Sequence, residues 1–200
     1  MNTGTKMHNM VENYLYNKKN TEKNIFAKAH FENIKPLLQP ITNIRGLEER
    51  LCSKELGLAG TADCIAYYGD DKAIIDFKTS SKQKKEEWIQ KYFLQTTAYS
   101  LMWEELTGEK IEQIVILITG EDGSRDTFIR NRNDYIEELH NTIEAFKLDK
   151  EQMKPEQDYN RQTYNAEIKC CMVCDETHNL NKDGLCPFCQ LDIDLSFYDN

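Results

Sequence analysis

The chain has 200 residues, enough for one medium domain or one domain with a small appendage. Apolar residues make up 40% and charged residues 30%, a balance that supports a packed core and excludes wholesale disorder. The net charge of −9, from 34 acidic and 25 basic residues, argues against a histone-like coating role but leaves room for local basic patches. The longest aliphatic run is Ile114 to Ile118, far below the ~20 residues of a membrane span. The polar first twenty residues exclude a secretory signal, so the expectation is a cytoplasmic protein with no membrane partner.

In chain order, Met7, Met10, Val11, Tyr14 and Leu15 recur at helical spacing over 4–16, with Thr3 as the expected N-cap. A second helix is expected over 21–34, ended by Pro36 and Pro40. Strand-like segments follow at 46–53, 58–68 and 72–80, the last two joined by a tight turn at Gly69-Asp70. Residues 84–107 give the strongest helical pattern (Trp88, Tyr92, Gln95, Tyr99, Met102), closed by Gly108. A buried strand at 112–119, a turn at 120–124, a short strand at 126–130 and a helix over 132–148 complete the core. The expected fold class is α/β: a mixed sheet flanked by helices, in residues 1–150. Residues 151–166, polar and containing Pro155, read as a linker to a tail at 167–200.

A two-residue turn at Gly69-Asp70 makes residues whose numbers sum to 139 face each other. Asp63 then stands opposite Asp76, and Lys78 opposite Thr61 on the same face. Two carboxylates about 5 Å apart repel unless a cation lies between them, and hard oxygen ligands suit Mg²⁺ or Mn²⁺. The alternative is an Asp–Lys ion pair at a strand end. A third acid can come from Glu48 or Glu49, which point to opposite faces. A two-residue turn at Lys54-Glu55 selects Glu48, and a three-residue turn selects Glu49. His8 and Glu12 share a helix face, as do Gln95 and Tyr99. Lys78, Lys82, Lys84 and Lys85 put four positive charges in eight residues, a candidate phosphate-contacting loop.

The stretch GLAGTADCIAYYGDDKAIIDFKTSSK, followed by WIQKYFLQTTAYSLMW, resembles the PD-(D/E)xK nuclease superfamily and, within it, the RecB-type exonucleases of phages and of mitochondrial genome maintenance. The resemblance covers about residues 4–148 and rests on Gly60-Thr61-x-Asp63, on Asp76-Phe77-Lys78-Thr79-Ser80, on Gln95-x-x-x-Tyr99 and on Gly4…His8…Glu12. It implies a restriction-endonuclease-like core. It also implies that Asp63, Asp76 and the Phe77 carbonyl bind the metal and that His8 touches it. Lys78 would position or activate water and stabilise charge at the phosphate. Glu48 matches the preceding acid better than Glu49, because it stands three before Leu51 in an E-x-x-L pattern. Gln95 and Tyr99 match residues that contact the lysine and DNA, and Thr79, Ser80, Lys82, Lys84 and Lys85 flank them as DNA contacts.

Five of the seven Cys fall between Cys170 and Cys189. Cys171-x-x-Cys174 and Cys186-x-x-Cys189, separated by eleven residues, have the spacing of a tetrahedral structural Zn²⁺ site. An iron–sulfur cluster is the alternative, but all four ligands here are local. The zinc ribbon, set among acids, would grip DNA or a protein partner. Together these features predict a metal-dependent DNA exonuclease of phage-like origin, acting on ends, often of single strands, in recombination, repair or degradation. The alternatives are a structure-selective endonuclease and a non-catalytic adaptor, and the intact Asp63, Asp76 and Lys78 speak against the latter.

Overall fold

The computed structural model describes residues 2–152; the cysteine tail and all but the first two residues of the expected linker fall outside the described residues. A five-stranded sheet carries the fold in the order β1-β2-β3-β4-β5, with β1 at Ile41–Ser53, β2 at Leu58–Tyr68, β3 at Asp71–Ser80, β4 at Gln113–Gly120 and β5 at Arg125–Asn131. Only β3 and β4 run parallel, as their connection requires: it passes through α3 (Gln90–Thr107) and returns to the sheet. Helices α1 (Thr3–Leu15) and α2 (Ile25–Ile34) precede the sheet, and α4 (Ile136–Gln152) follows it.

Two apolar layers enclose the sheet. Met7, Val11, Phe31 and Ile34 of α1 and α2 pack with Cys64, Ile75, Phe77, Val115 and Leu117. Met102, Trp103, Leu139 and Ile143 of α3 and α4 pack with Ile65 and Ile74. β4 is apolar without alternation because both its faces are buried, Val115 and Leu117 in the first layer and Ile114, Ile116 and Ile118 against Ile89, Phe93 and Tyr135. The mixed sheet flanked by helices is therefore the architecture expected.

Side chains that capture backbone N–H groups move several helix starts. α1 is capped by Asn2, whose Oδ1 accepts from the Thr5 N–H at 2.8 Å, so Thr3 is already helical. The second helix starts at Ile25, not 21: the Glu22 carboxylate takes the N–H groups of Lys23 and Asn24, and Asn24 caps Ala27. The long helix starts at Gln90, not 84. The N–H groups of Gln83 and Lys84 go to Asp122 and Asp126, and Glu86–Trp88 form one 3₁₀ turn. The last helix starts at Ile136 after a 3₁₀ turn (Arg132–Asp134) capped by Asn131, and runs to Gln152, into the expected linker. Gly108 closes α3 at φ 72°, as its position predicted.

Arg132 ties the two halves of the second layer together. Its guanidinium is buried and donates to Ser100 Oγ at 2.9 Å and to the Glu104 carboxylate. Ser100 in turn donates to the Ile111 carbonyl.

Candidate active site

The hairpin register is the predicted one: Tyr68 pairs with Asp71 and Cys64 with Ile75. The ladder pairs end there. One step on, the Phe77 N–H donates to Asp63 Oδ2 at 2.7 Å. A side-chain carboxylate thus takes the place of a strand carbonyl, and β2 and β3 part at the point where Asp63 and Asp76 face each other.

The β1–β2 register differs from both expected turns. Ser53 pairs with Leu58 across a four-residue loop, so neither a two- nor a three-residue turn forms. The loop holds Gly57 at φ 69° and is pinned by the Leu56 N–H on Ser53 Oγ. Leu47 pairs with Cys64 and Glu49 with Ala62, which sets Glu48 across from Asp63. The even difference from the two-residue turn preserves its face. Glu48 itself adopts φ 50°, a left-handed backbone uncommon for a non-glycine residue and in keeping with a functional position.

Five acidic or basic groups converge from four elements, α1, β1, β2 and β3. Ligand atoms of His8, Glu48 and Asp63 all lie within 4.8 Å of one another. His8 Nδ1 stands 3.5 Å from Asp63 Oδ1, and its ring meets Phe77 edge-on at 6.1 Å. Asp76 is 2% exposed. Its Oδ1 accepts from Lys78 Nζ at 2.8 Å, while its Oδ2 has no hydrogen-bond partner. A buried carboxylate oxygen without a partner is rare, and an ion is one of the few things that satisfies it. The carboxylate-rich set with one imidazole fits a hard divalent cation such as Mg²⁺ or Mn²⁺.

Lys78 heads a chain of hydrogen bonds: its Nζ donates to Gln95 Oε1 at 3.2 Å, and Gln95 Nε2 donates to the Tyr99 hydroxyl at 2.9 Å. The i,i+4 pair read from the sequence is thus aimed at the lysine. Gly60 makes this possible. A Cβ there would come within 2.7 Å of Tyr99 Cε1, so the ring approaches β2 this closely only because residue 60 has no side chain.

The electrostatics follow from burial opposed by pairing. Burial pushes the Asp76 carboxyl up to about 6, against the pull of Lys78. Burial alone would lower His8, but the Asp63 carboxylate reverses this and raises the imidazole to about 9. Burial would raise Asp63; the charge and hydrogen bond of His8, then Lys78 and the Phe77 N–H, hold it below the ordinary carboxylate range. Glu48 keeps an exposed side chain, yet partial desolvation and the Asp63 charge lift it to about 7. Burial disfavours a charged Lys78, but Asp76 and Asp63 hold it above the usual lysine value. Lys78 is therefore a cation in this environment.

The expected DNA-contacting residues divide. Gln95 and Tyr99 join the lysine. Thr79 lies beside the start of α1, with its hydroxyl 3.3 Å from where a Gly4 Cβ would be. Ser80 is occupied locally, donating to the Lys82 carbonyl at 2.7 Å. Lys82 and Lys85 stand over the ring of Trp88, and the Lys84 backbone is bound to Asp126. The sequence reading missed Tyr92, whose ring lies under the Lys78 ammonium at 5.1 Å. Its position three before Gln95, on the same helix face, was the available signal.

Paired acids and a lysine thus lie where two strands part, on a mixed sheet with flanking helices. The family model of the PD-(D/E)XK nuclease superfamily matches residues 3–191, and the chain belongs to that superfamily. The chain is 30% identical over 102 residues to human mitochondrial genome maintenance exonuclease 1, a match covering 48% of this chain and 29% of that protein. Its fold is similar to the crystal structure of a candidate exonuclease from Eubacterium rectale, with a TM-score of 0.53 and 14% identity over 74% of this chain and 66% of that one. The chain thus spans under a third of the human relative's length and just under two thirds of the other's. Among the described residues, no helix is long and apolar enough to cross a membrane.

Proposed function

We propose that this chain is a divalent-metal-dependent deoxyribonuclease that removes nucleotides from DNA ends, with single strands as its preferred substrate. The observation that carries the reading is the unpartnered Asp76 Oδ2, buried beside Lys78 and next to the His8–Glu48–Asp63 group. Asp76, Asp63 and Glu48 would hold Mg²⁺ or Mn²⁺, with His8 and the Phe77 carbonyl as further ligands. Bound there, the ion would supply Lewis acidity and ease deprotonation of the attacking water.

The remaining steps belong to the chain. Lys78, kept protonated by Asp76 and oriented by Gln95, places a positive charge against the scissile phosphate and orients the attacking water. The Lys78 ammonium, which can only donate, selects the Gln95 oxygen, and the Gln95 amide nitrogen is then held by the Tyr99 hydroxyl. Thr79, Ser80, Lys82, Lys84 and Lys85 flank the path of the strand. Similarity to a mitochondrial genome maintenance exonuclease supports action from ends. The same reading extends to a role in DNA recombination, repair or degradation, and to a phage-encoded protein of the host cytoplasm. In the tail, Cys171, Cys174, Cys186 and Cys189 would bind a structural Zn²⁺, and that ribbon would engage DNA or a protein partner.

The test is cleavage of end-labelled single-stranded and duplex DNA and of a closed circle, with Mg²⁺, Mn²⁺ or EDTA, beside Lys78→Ala. Metal-dependent stepwise shortening, lost in the variant, is the expected result. Cuts in the circle would replace the exonuclease with an endonuclease. No cleavage by the folded wild-type chain would leave a nucleic-acid-binding adaptor.

A further inference from the structure

Trp88 is an exposed large aromatic, 48% accessible, in the segment that joins Lys78 of β3 to α3. It sits in the 3₁₀ turn between β3 and α3, one turn of chain before Tyr92. The Lys85 ammonium stands 5.4 Å from its ring centre and that of Lys82 6.0 Å. Lys85 also has Glu87 at 3.8 Å, but both groups of that pair are largely in solvent, where such a contact contributes little. Tyr92 repeats the arrangement one step closer to the chemistry, with Lys78 at 5.1 Å and Lys91 at 5.9 Å from its ring centre. Two rings four residues apart in sequence are thus each attended by two lysines, one of which is Lys78.

The segment that presents Trp88 is tightly held. Ile89 beside it is fully buried. Glu86 grips Arg130 of β5 with both carboxylate oxygens. Gln83 is bound through its N–H to Asp122 and through its side-chain amide to Asp126. A half-exposed indole on a flexible loop would fold down onto neighbouring apolar surface. Here the anchors on both sides keep it turned outward, at the cost of leaving apolar surface in water.

We infer that Trp88 is a stacking platform for an unpaired nucleobase next to the cleaved phosphate, with Lys82 and Lys85 taking the phosphates on either side of that base. The chemistry is that of sequence-tolerant single-strand binding: a π-face for any base and flexible cations for the backbone. A base inside a duplex cannot offer its face to the indole, so the platform selects single strands over duplex. This deepens the nuclease reading and rests on it for the identity of the ligand.

The experiment uses the full chain in buffer without added divalent metal, where binding is read apart from cleavage. The probes are oligothymidylate, an abasic oligomer of equal length, and a duplex. The chain has two Trp, and Trp103 is 9% exposed, so quenching of fluorescence by oligothymidylate reports Trp88. Expected are quenching that disappears in Trp88→Phe and a loss of oligothymidylate affinity of about 5- to 150-fold in Trp88→Ala. Trp88→Phe should retain most of the affinity, and both variants should keep wild-type melting temperatures. The abasic oligomer should bind wild type and Trp88→Ala alike. Equal losses for thymidylate and abasic probes, absence of quenching, or unchanged affinity in Trp88→Ala would overturn the platform. Cleavage of single strands with added Mg²⁺ is scored in parallel: wild-type cleavage without a Trp88 effect sinks the platform alone, and quenching without cleavage sinks the nuclease reading alone.

Discussion

The Asp63 carboxylate accepts the Phe77 backbone N–H at 2.7 Å, closing the gap where β2 and β3 separate. One side chain thus serves the sheet and the candidate metal site together, and the two roles are separable. Asp63→Asn keeps an acceptor for the N–H but loses the charge, so it should fold like wild type and lose at least ~100-fold in cleavage. Asp63→Ala leaves a strand N–H unsatisfied and should be about 1–3 kcal/mol less stable than Asp63→Asn by urea unfolding. Equal stability of the two variants would show that the bond does not support the strand end.

Gly60 should behave as part of the catalytic apparatus without touching it. A methyl group at this position meets Tyr99 Cε1 at 2.7 Å and forces the ring, then Gln95, away from Lys78. Gly60→Ala is expected to lower cleavage by about 10- to 100-fold while melting within a few degrees of wild type. Tyr99→Phe in the same background should add little, because the hydroxyl that orients Gln95 is already displaced. Additive losses would place Gly60 and Tyr99 on separate paths.

His8 gives a pH dependence with a definite sign. Its folded value of about 9 lies above the ordinary 6.5 because Asp63 outweighs burial. A raised histidine favours the folded state fully below pH 6.5, and that stabilisation fades as pH rises through 9. In buffer freed of divalent metal, an NMR titration should place the His8 imidazole midpoint near 9. His8→Gln should flatten the decline in stability between those limits. Added Mg²⁺ should bring the midpoint down as the cation competes for Asp63. A midpoint near 6.5 without metal would contradict the ion pair.

Arg132 ties the 3₁₀ turn after β5 to α3, and its position predicts a stability effect alone. Arg132→Met removes the bonds to Ser100 and Glu104 and should destabilise by about 1.5–3 kcal/mol in urea. Its effect on cleavage should be small at temperatures where the variant is folded. A large loss of activity in a stable variant would imply coupling through α3 to Gln95.

Much of this protein was determined by its sequence alone. The period-2 and period-3.6 patterns fixed the order of strands and helices, and the Gly69-Asp70 turn placed Asp63 opposite Asp76, because strand side chains alternate strictly. Gln95 and Tyr99 were legible as partners because a helix repeats every 3.6 residues. Tertiary structure decided what local patterns cannot encode. The four-residue loop at 54–57 set Glu48 across from Asp63 by a register no short-range signal specified, and Glu48 needed a left-handed backbone to fit. Carboxylates distant in sequence, Asp122 and Asp126, took the N–H groups of Gln83 and Lys84 and held the segment before α3 out of the helix its composition favours. That capture, a long-range hydrogen bond overriding local propensity, leaves Trp88 an exposed ring in the 3₁₀ turn before α3 and not on the expected helix face.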